Sequence, residues 1–166
     1  MELLVIRHGT AEDIGPDGDD ARRSLTKAGR DEMKEAAAGL RTLVDTIDVI
    51  GASPLVRAQQ TAEIVAHAYE DVSVATVQSL VPGSDLSVLA DWLARHASAK
   101  VVALVGHEPH LGLLVTWLMT GAGNSRVAFG KGGAAMLEFS SRVAPGSGTL
   151  QWLLTRSALR RLGGTD

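Results

Sequence analysis

The sequence predicts a single-domain α/β fold: a three-layer α/β/α sandwich with a mostly parallel central sheet, completed by an antiparallel C-terminal hairpin. Three observations predict it. Short apolar blocks alternate with helical periodicity as far as Thr120, the pattern of strands joined by crossover helices. The final third changes character and carries two apolar runs on either side of a turn-rich stretch. At 166 residues, 45% apolar and 21% charged, the chain has the size and balance of one ordinary domain that can bury a core without disulfides.

Each element follows in order. Residues 2–6, Glu-Leu-Leu-Val-Ile, open as a buried strand. Residues 10–24 hold two glycines, a proline and five acidic residues with no periodicity, so they read as a surface loop. Thr26 is a good N-cap, and Met33, Ala36, Ala37, Leu40 and Val44 recur at helical spacing to give one apolar face. Residues 48–53 form the second strand. Ser53-Pro54 starts the next helix, with Ser as the cap and Pro at the first helical position, and this helix runs to about Tyr69. Residues 72–77 read as a strand, Pro82-Gly83 as a turn, and residues 86–97 as a helix with Leu86, Leu89, Ala90 and Leu93 inward. Residues 100–105 are a buried strand, and a helix follows from Pro109 to about Thr120. Residues 134–139 and 149–155 make the hairpin around the turn at 144–148, and residues 156–162 add a short helix. The domain is expected to span 1–162, with 163–166 as a frayed tail.

Composition removes several function classes. The longest apolar runs, such as residues 101–105, fall far short of the roughly 18 residues that span a bilayer. Glu2 stands where a secretory signal would be basic, and the apolar stretch after it is too short for a signal core. The absence of cysteine removes thiolate catalysis and thiolate metal sites and suits a reducing compartment, so the expected location is the cytoplasm. A net charge of −3 argues against a general nucleic-acid or anionic-membrane surface. Anion binding, if present, must be local.

Three polar clusters fall at the ends of the first, second and fourth strands: Arg7-His8-Gly9, Ser53 with Arg57, and Gly106-His107. Ligands of open α/β sheets bind outside the carboxyl ends of the strands, so these clusters are expected to converge on one pocket. Arg57 falls in the first turn of its helix, where a cation opposes the positive end of the helix dipole unless an anion sits between them. A phosphate would resolve the conflict, taking helix N–H donors and a forked pair from the guanidinium, with Arg7 offering a second fork. His8 is followed by Gly9, which lets the backbone turn and approach a ligand closely. A neutral imidazole attacks phosphorus without prior deprotonation.

Arg7-His8-Gly9, the segment Ser53-Pro54-Leu55-Val56-Arg57-Ala58-Gln59-Gln60-Thr61-Ala62, and Gly106-His107 together resemble the histidine phosphatase superfamily, over about residues 2–118. The short length and Leu25-Thr26-x-x-Gly29 look like its SixA-type phosphohistidine phosphatases. The resemblance implies His8 as the catalytic nucleophile, with Arg7, Arg57 and His107 holding the phosphoryl group. It also matches Arg23 to an arginine of the SixA pattern, which can reach the phosphate. Gly9 joins Arg7, Arg57 and Arg23 as a substrate-contact position. The expected reaction is phosphoryl transfer to His8 and hydrolysis of the resulting phosphohistidine, with no metal and no cofactor.

The superfamily's usual glutamate after the third strand has no clear counterpart here. Asp85 and Glu108 are the alternatives as proton donor, and helix capping accounts for both. A weak acid would matter less for an imidazole leaving group than for an alkoxide, which favours a phosphohistidine substrate on a protein. A sugar phosphatase and a non-catalytic module that binds phosphorylated partners are the alternatives. His107-Glu108-Pro109-His110 resembles a zinc-protease helix but spaces its histidines three apart with Pro between them. Gly130-Lys131-Gly132 reads as a turn, His67 and His96 as surface or boundary residues, and His110 as a neighbour of the site. Trp92, Trp117 and Trp152 are expected in the core. Arg156, Arg160 and Arg161 read as a solvated face.

Overall fold

Residues Leu3 to Ile6 are completely buried, which places β1 (Glu2–Arg7) at the centre of the molecule. The computed structural model describes residues 1–164. Around β1 lie α1 (Lys27–Arg41), β2 (Val49–Ala52), α2 (Val56–Ala68), β3 (Val74–Thr76), α3 (Leu86–Arg95), β4 (Val101–Gly106), α4 (His110–Thr120), β5 (Ala134–Glu138), β6 (Thr149–Leu154) and α5 (Arg156–Leu162). The described strands form one sheet in the order β3-β2-β4-β1-β5-β6. The pairs from β3 to β1 are parallel, while β5 runs antiparallel to β1 and β6 antiparallel to β5.

Strand side chains alternate between faces, and the core divides accordingly. Leu4, Ile6, Ile50, Ala103 and Val105 pack with Met33, Leu40, Ala62, Val65 and Leu159 from α1, α2 and α5. Leu3, Val5, Val102 and Leu104 pack with Leu89, Leu93, Leu111 and Leu114 from α3 and α4. The sequence prediction of a three-layer α/β/α sandwich with a C-terminal hairpin is therefore what the chain adopts. Parallel strands covered on both sides explain why β1 and β4 read as continuous apolar runs.

Local signals held where they were self-contained. Thr26 caps α1, its Oγ1 accepting the Gly29 N–H at 2.8 Å. Two helix starts moved. Leu55, not Ser53, is the N-cap residue of α2, so Pro54 precedes the helix, and α4 begins at His110 with Pro109 as its cap after a cis Glu108–Pro109 bond. The three tryptophans are half-buried at the margins of the core rather than inside it. Arg156 and Arg160 are not simply solvated: Arg156 pairs with Glu32 at 2.5 Å and Arg160 with Glu35, which pins α5 to α1. Of the expected tail, Gly163 and Gly164 hydrogen-bond back to the carbonyls of Leu159 and Arg161, while residues 165–166 lie outside the described residues.

Candidate active site

Strand adjacency does the assembling. Arg7 lies opposite Gly106 in the β1–β4 ladder, and Ala52 lies opposite Val105 in the β2–β4 ladder, so all three strands end at the same level. The next residue of each is then a neighbour of the others: the His8 N–H donates to the Gly106 carbonyl and the Ser53 N–H to the Val105 carbonyl, both at 3.0 Å. The three clusters do converge. His8, Ser53, Arg57 and His107 are all buried, with His8 5% and His107 2% exposed.

His8 is held in one tautomer. Its Nδ1–H donates to the Gly9 carbonyl at 2.7 Å, and because a carbonyl can only accept, the lone pair is left on Nε2. The His107 ring stands 5.0 Å from that of His8, centroid to centroid, and its Nε2 is 2.8 Å from Ser53 Oγ. Ser53 thus serves the site and not a helix cap. Thr61 ties the loop after β1 to α2, its Oγ1 accepting the Gly9 N–H at 3.1 Å and donating to the Arg57 carbonyl at 2.7 Å. Gly9 is required for packing as well: a Cβ there would stand 2.5 Å from Met33 Cγ of α1.

Arg7 is aimed by the segment before β5, of which the sequence reads only Gly130-Lys131-Gly132, as a turn. One terminal nitrogen of Arg7 donates to the Phe129 carbonyl at 2.5 Å, and the Phe129 N–H donates to Glu108 Oε1 at 3.1 Å. Gly132, at φ +72°, turns its N–H onto the carbonyls of Arg7 and His8. The turn at 130–132 therefore clamps the Arg-His-Gly motif. Two buried side-chain nitrogens among the described residues have no hydrogen-bond partner, and both belong here: Arg7 Nε and His107 Nδ1. An unpaired buried nitrogen of this kind costs about 1–3 kcal/mol, a cost that a ligand accepting from it would offset.

The electrostatics suit an anion. Burial, against the Gly9 hydrogen bond and with help from Arg57, Arg7 and Lys131, lowers His8 to about 4. Burial and then His8, Arg57 and Arg7, opposed by Asp20, lower His107 to about 3. Both rings are neutral near pH 7, so His8 Nε2 keeps its lone pair. Lys131, read from the sequence only as part of a turn, is one of the cations acting on it.

Asp20 and Arg23 were less legible. Both Arg57 terminal nitrogens donate to Asp20, one to its carbonyl at 2.8 Å and one to Oδ2 at 3.1 Å. Arg23 donates to Asp20 Oδ1 at 2.8 Å and to the Glu12 carbonyl at 2.6 Å, so it stands one carboxylate away from Arg57. Of the two candidate acids, Asp85 caps α3, accepting the Ser87 N–H at 2.8 Å. Glu108 is drawn above the usual carboxylate range by burial, but the N–H groups of Phe129 and Gly112 and the charge of Arg7 act on it in the opposite sense. Asp85 therefore caps a helix as expected, whereas Glu108 holds the Phe129 N–H and no side-chain hydrogen bond caps α4. His110 is buried and pairs its Nε2 with the Ser79 carbonyl at 2.9 Å.

Residues 3–81 match the family model of the histidine phosphatase superfamily (branch 1). The chain is 29% identical over 163 residues to the phosphohistidine phosphatase SixA of Escherichia coli K12, covering 96% of this chain and 97% of that protein. An uncharacterized protein of Picosynechococcus is 40% identical over 114 residues, covering 68% of this chain and 69% of its own length. The chain belongs to the histidine phosphatase superfamily. Within the superfamily it is of the SixA type, since its fold superposes on the structure of the protein histidine phosphatase SixA complexed with tungstate with a TM-score of 0.84, at 26% identity, over 96% of this chain and 99% of that one. This histidine phosphatase acts on phosphorylated substrates, and none of its described helices is long and apolar enough to cross a membrane.

Proposed function

We propose that this phosphatase removes phosphate from phosphohistidine on a protein, through a covalent phosphohistidine on His8 and without a metal or cofactor. The observation that carries the reading is the pair of orphaned buried nitrogens, Arg7 Nε and His107 Nδ1, at the mouth of the strand ends where His8 is held with Nε2 free. A phosphoryl group seated there receives both. Arg57 and Arg23 add charge from the other side, and Gly9 keeps the backbone close. In the first step His8 Nε2 bonds to phosphorus as the P–N bond breaks in a substrate already protonated on its other ring nitrogen, so the imidazole leaves neutral. In the second, water attacks the phosphohistidine, phosphate leaves with the oxygen, and His8 is restored.

The leaving group follows from the acids. Asp85 is committed to a helix cap and Asp20 is held below the usual carboxylate range by Arg23 and Arg57, while Glu108, though raised by burial, gives Oε1 to the Phe129 N–H, so no carboxyl stands uncommitted beside the site. A phosphoramidate, protonated before its P–N bond breaks, needs that help least. The likeness to SixA, whose crystal complex holds the tetrahedral oxyanion tungstate, supports the same reading. Its place of action would be the cytoplasm, with no role for nucleic acid or membrane. A substrate panel tests it. Phosphate release from a phosphohistidine protein should far exceed release from sugar and aryl phosphates and should vanish in H8A. Preference for the sugar phosphate would assign the enzyme to small metabolites, and undiminished activity in H8A would remove His8 as nucleophile.

A further inference from the structure

The arginine fork that a phosphoryl group needs is already occupied. Arg57 is buried, its side chain 8% exposed, and its two terminal nitrogens both bond to Asp20. The same carboxylate takes Arg23 through its other oxygen. The Asp20 carboxylate thus holds both Arg57 and Arg23, two of the groups that would surround a phosphate, and its charge also acts on His107. Arg57 sits at the second residue of α2, where a cation opposes the helix dipole unless an anion offsets it. In this structure the anion is Asp20.

Resting on the phosphatase reading above, we propose that Asp20 is an internal competitor of the phosphoryl group, and that it sets the affinity and charge selectivity of the site. A phosphate that takes a forked pair from the same guanidinium edge displaces Asp20. Its second charge gives a dianion the advantage over a single carboxylate, whereas a monoanion has little. The clamp is built to open. Its Arg57 half is buried in α2, while the Asp20 side chain is 65% exposed on a segment of two short 3-10 turns, Pro16–Gly18 and Asp20–Arg22, in which no residue is buried. Such segments lie at the low end of local stability. Release of Asp20 frees residues 15–23 to move as phosphate enters.

Calorimetric titration with inorganic phosphate, on wild type, D20N, D20A and R57A, tests this together with amide hydrogen exchange. D20N and D20A should bind phosphate more tightly than wild type, by about fivefold for loss of one partly exposed competing carboxylate. Phosphate should also speed exchange across residues 15–23 in wild type but not in D20A. If D20N and D20A bind phosphate equally or more weakly while R57A also weakens it, the site stands and Asp20 is a support for the arginines, which overturns the proposal. If R57A binds phosphate as wild type does, the phosphate site itself is wrong, and the inference falls with it.

Discussion

At the residue scale, the site depends on side chains that never touch phosphorus. Arg7 reaches Phe129 across 122 residues of sequence, and Glu108 holds the Phe129 N–H, so Glu108 fixes the aim of Arg7 through one backbone residue. E108A should lower kcat/KM by about tenfold, the loss of a hydrogen bond to a charged group, with the fold intact by circular dichroism. E108Q, which keeps an acceptor for Phe129, should recover part of it. Equal activity in E108A and wild type would show that Arg7 is held without Glu108. His8, Arg57 and His107 could be named from the sequence because each sits in a contiguous motif at a strand end. Asp20, Phe129 and Lys131 could not, since their contacts come from loops with no periodicity and partners far along the chain.

At the element scale, helix and strand positions were legible wherever one segment carried its own signal. The apolar stripe of α1 and its Thr26 cap, the buried runs of β1 and β4, and the hairpin of β5 and β6 all needed no outside information. The start of α2 was misplaced for a physical reason: Ser53 has a competing partner in His107, and its hydroxyl is drawn to the ring, leaving Leu55 as the cap residue. The convergence of the three strand ends was legible, but the side-chain packing between elements was not. Gly9 illustrates this, for its neighbour is Met33 of α1, and only the packing of α1 on the end of β1 reveals that no Cβ fits. G9A should destabilise the protein by about 1–3 kcal/mol, as overpacking does, measured as a fall in urea midpoint. An unchanged midpoint would mean that Met33 swings aside at no cost.

At the scale of the whole molecule, the order β3-β2-β4-β1-β5-β6 turns three separate motifs into one site, and the site in turn weakens the fold in acid. His8 and His107 are neutral when folded down to about 4 and about 3, while in the unfolded chain both protonate near the ordinary imidazole value of 6.5. Between these values the unfolded state binds more protons, so stability falls as pH drops through 6.5 towards 3, by on the order of a few kcal/mol. Above 6.5 the two rings contribute no pH dependence. Denaturant midpoints of H107N should fall less steeply than those of wild type across that window, and parallel slopes would show that His107 is not buried neutral. The central claim remains the nucleophile, and the most direct measurement is capture of the intermediate. Wild-type protein mixed with a labelled phosphohistidine protein, quenched rapidly without acid and digested, should yield label on the peptide that contains His8, and H8A should yield none. Turnover by wild type with no label on that peptide, or label retained by H8A, would contradict the account.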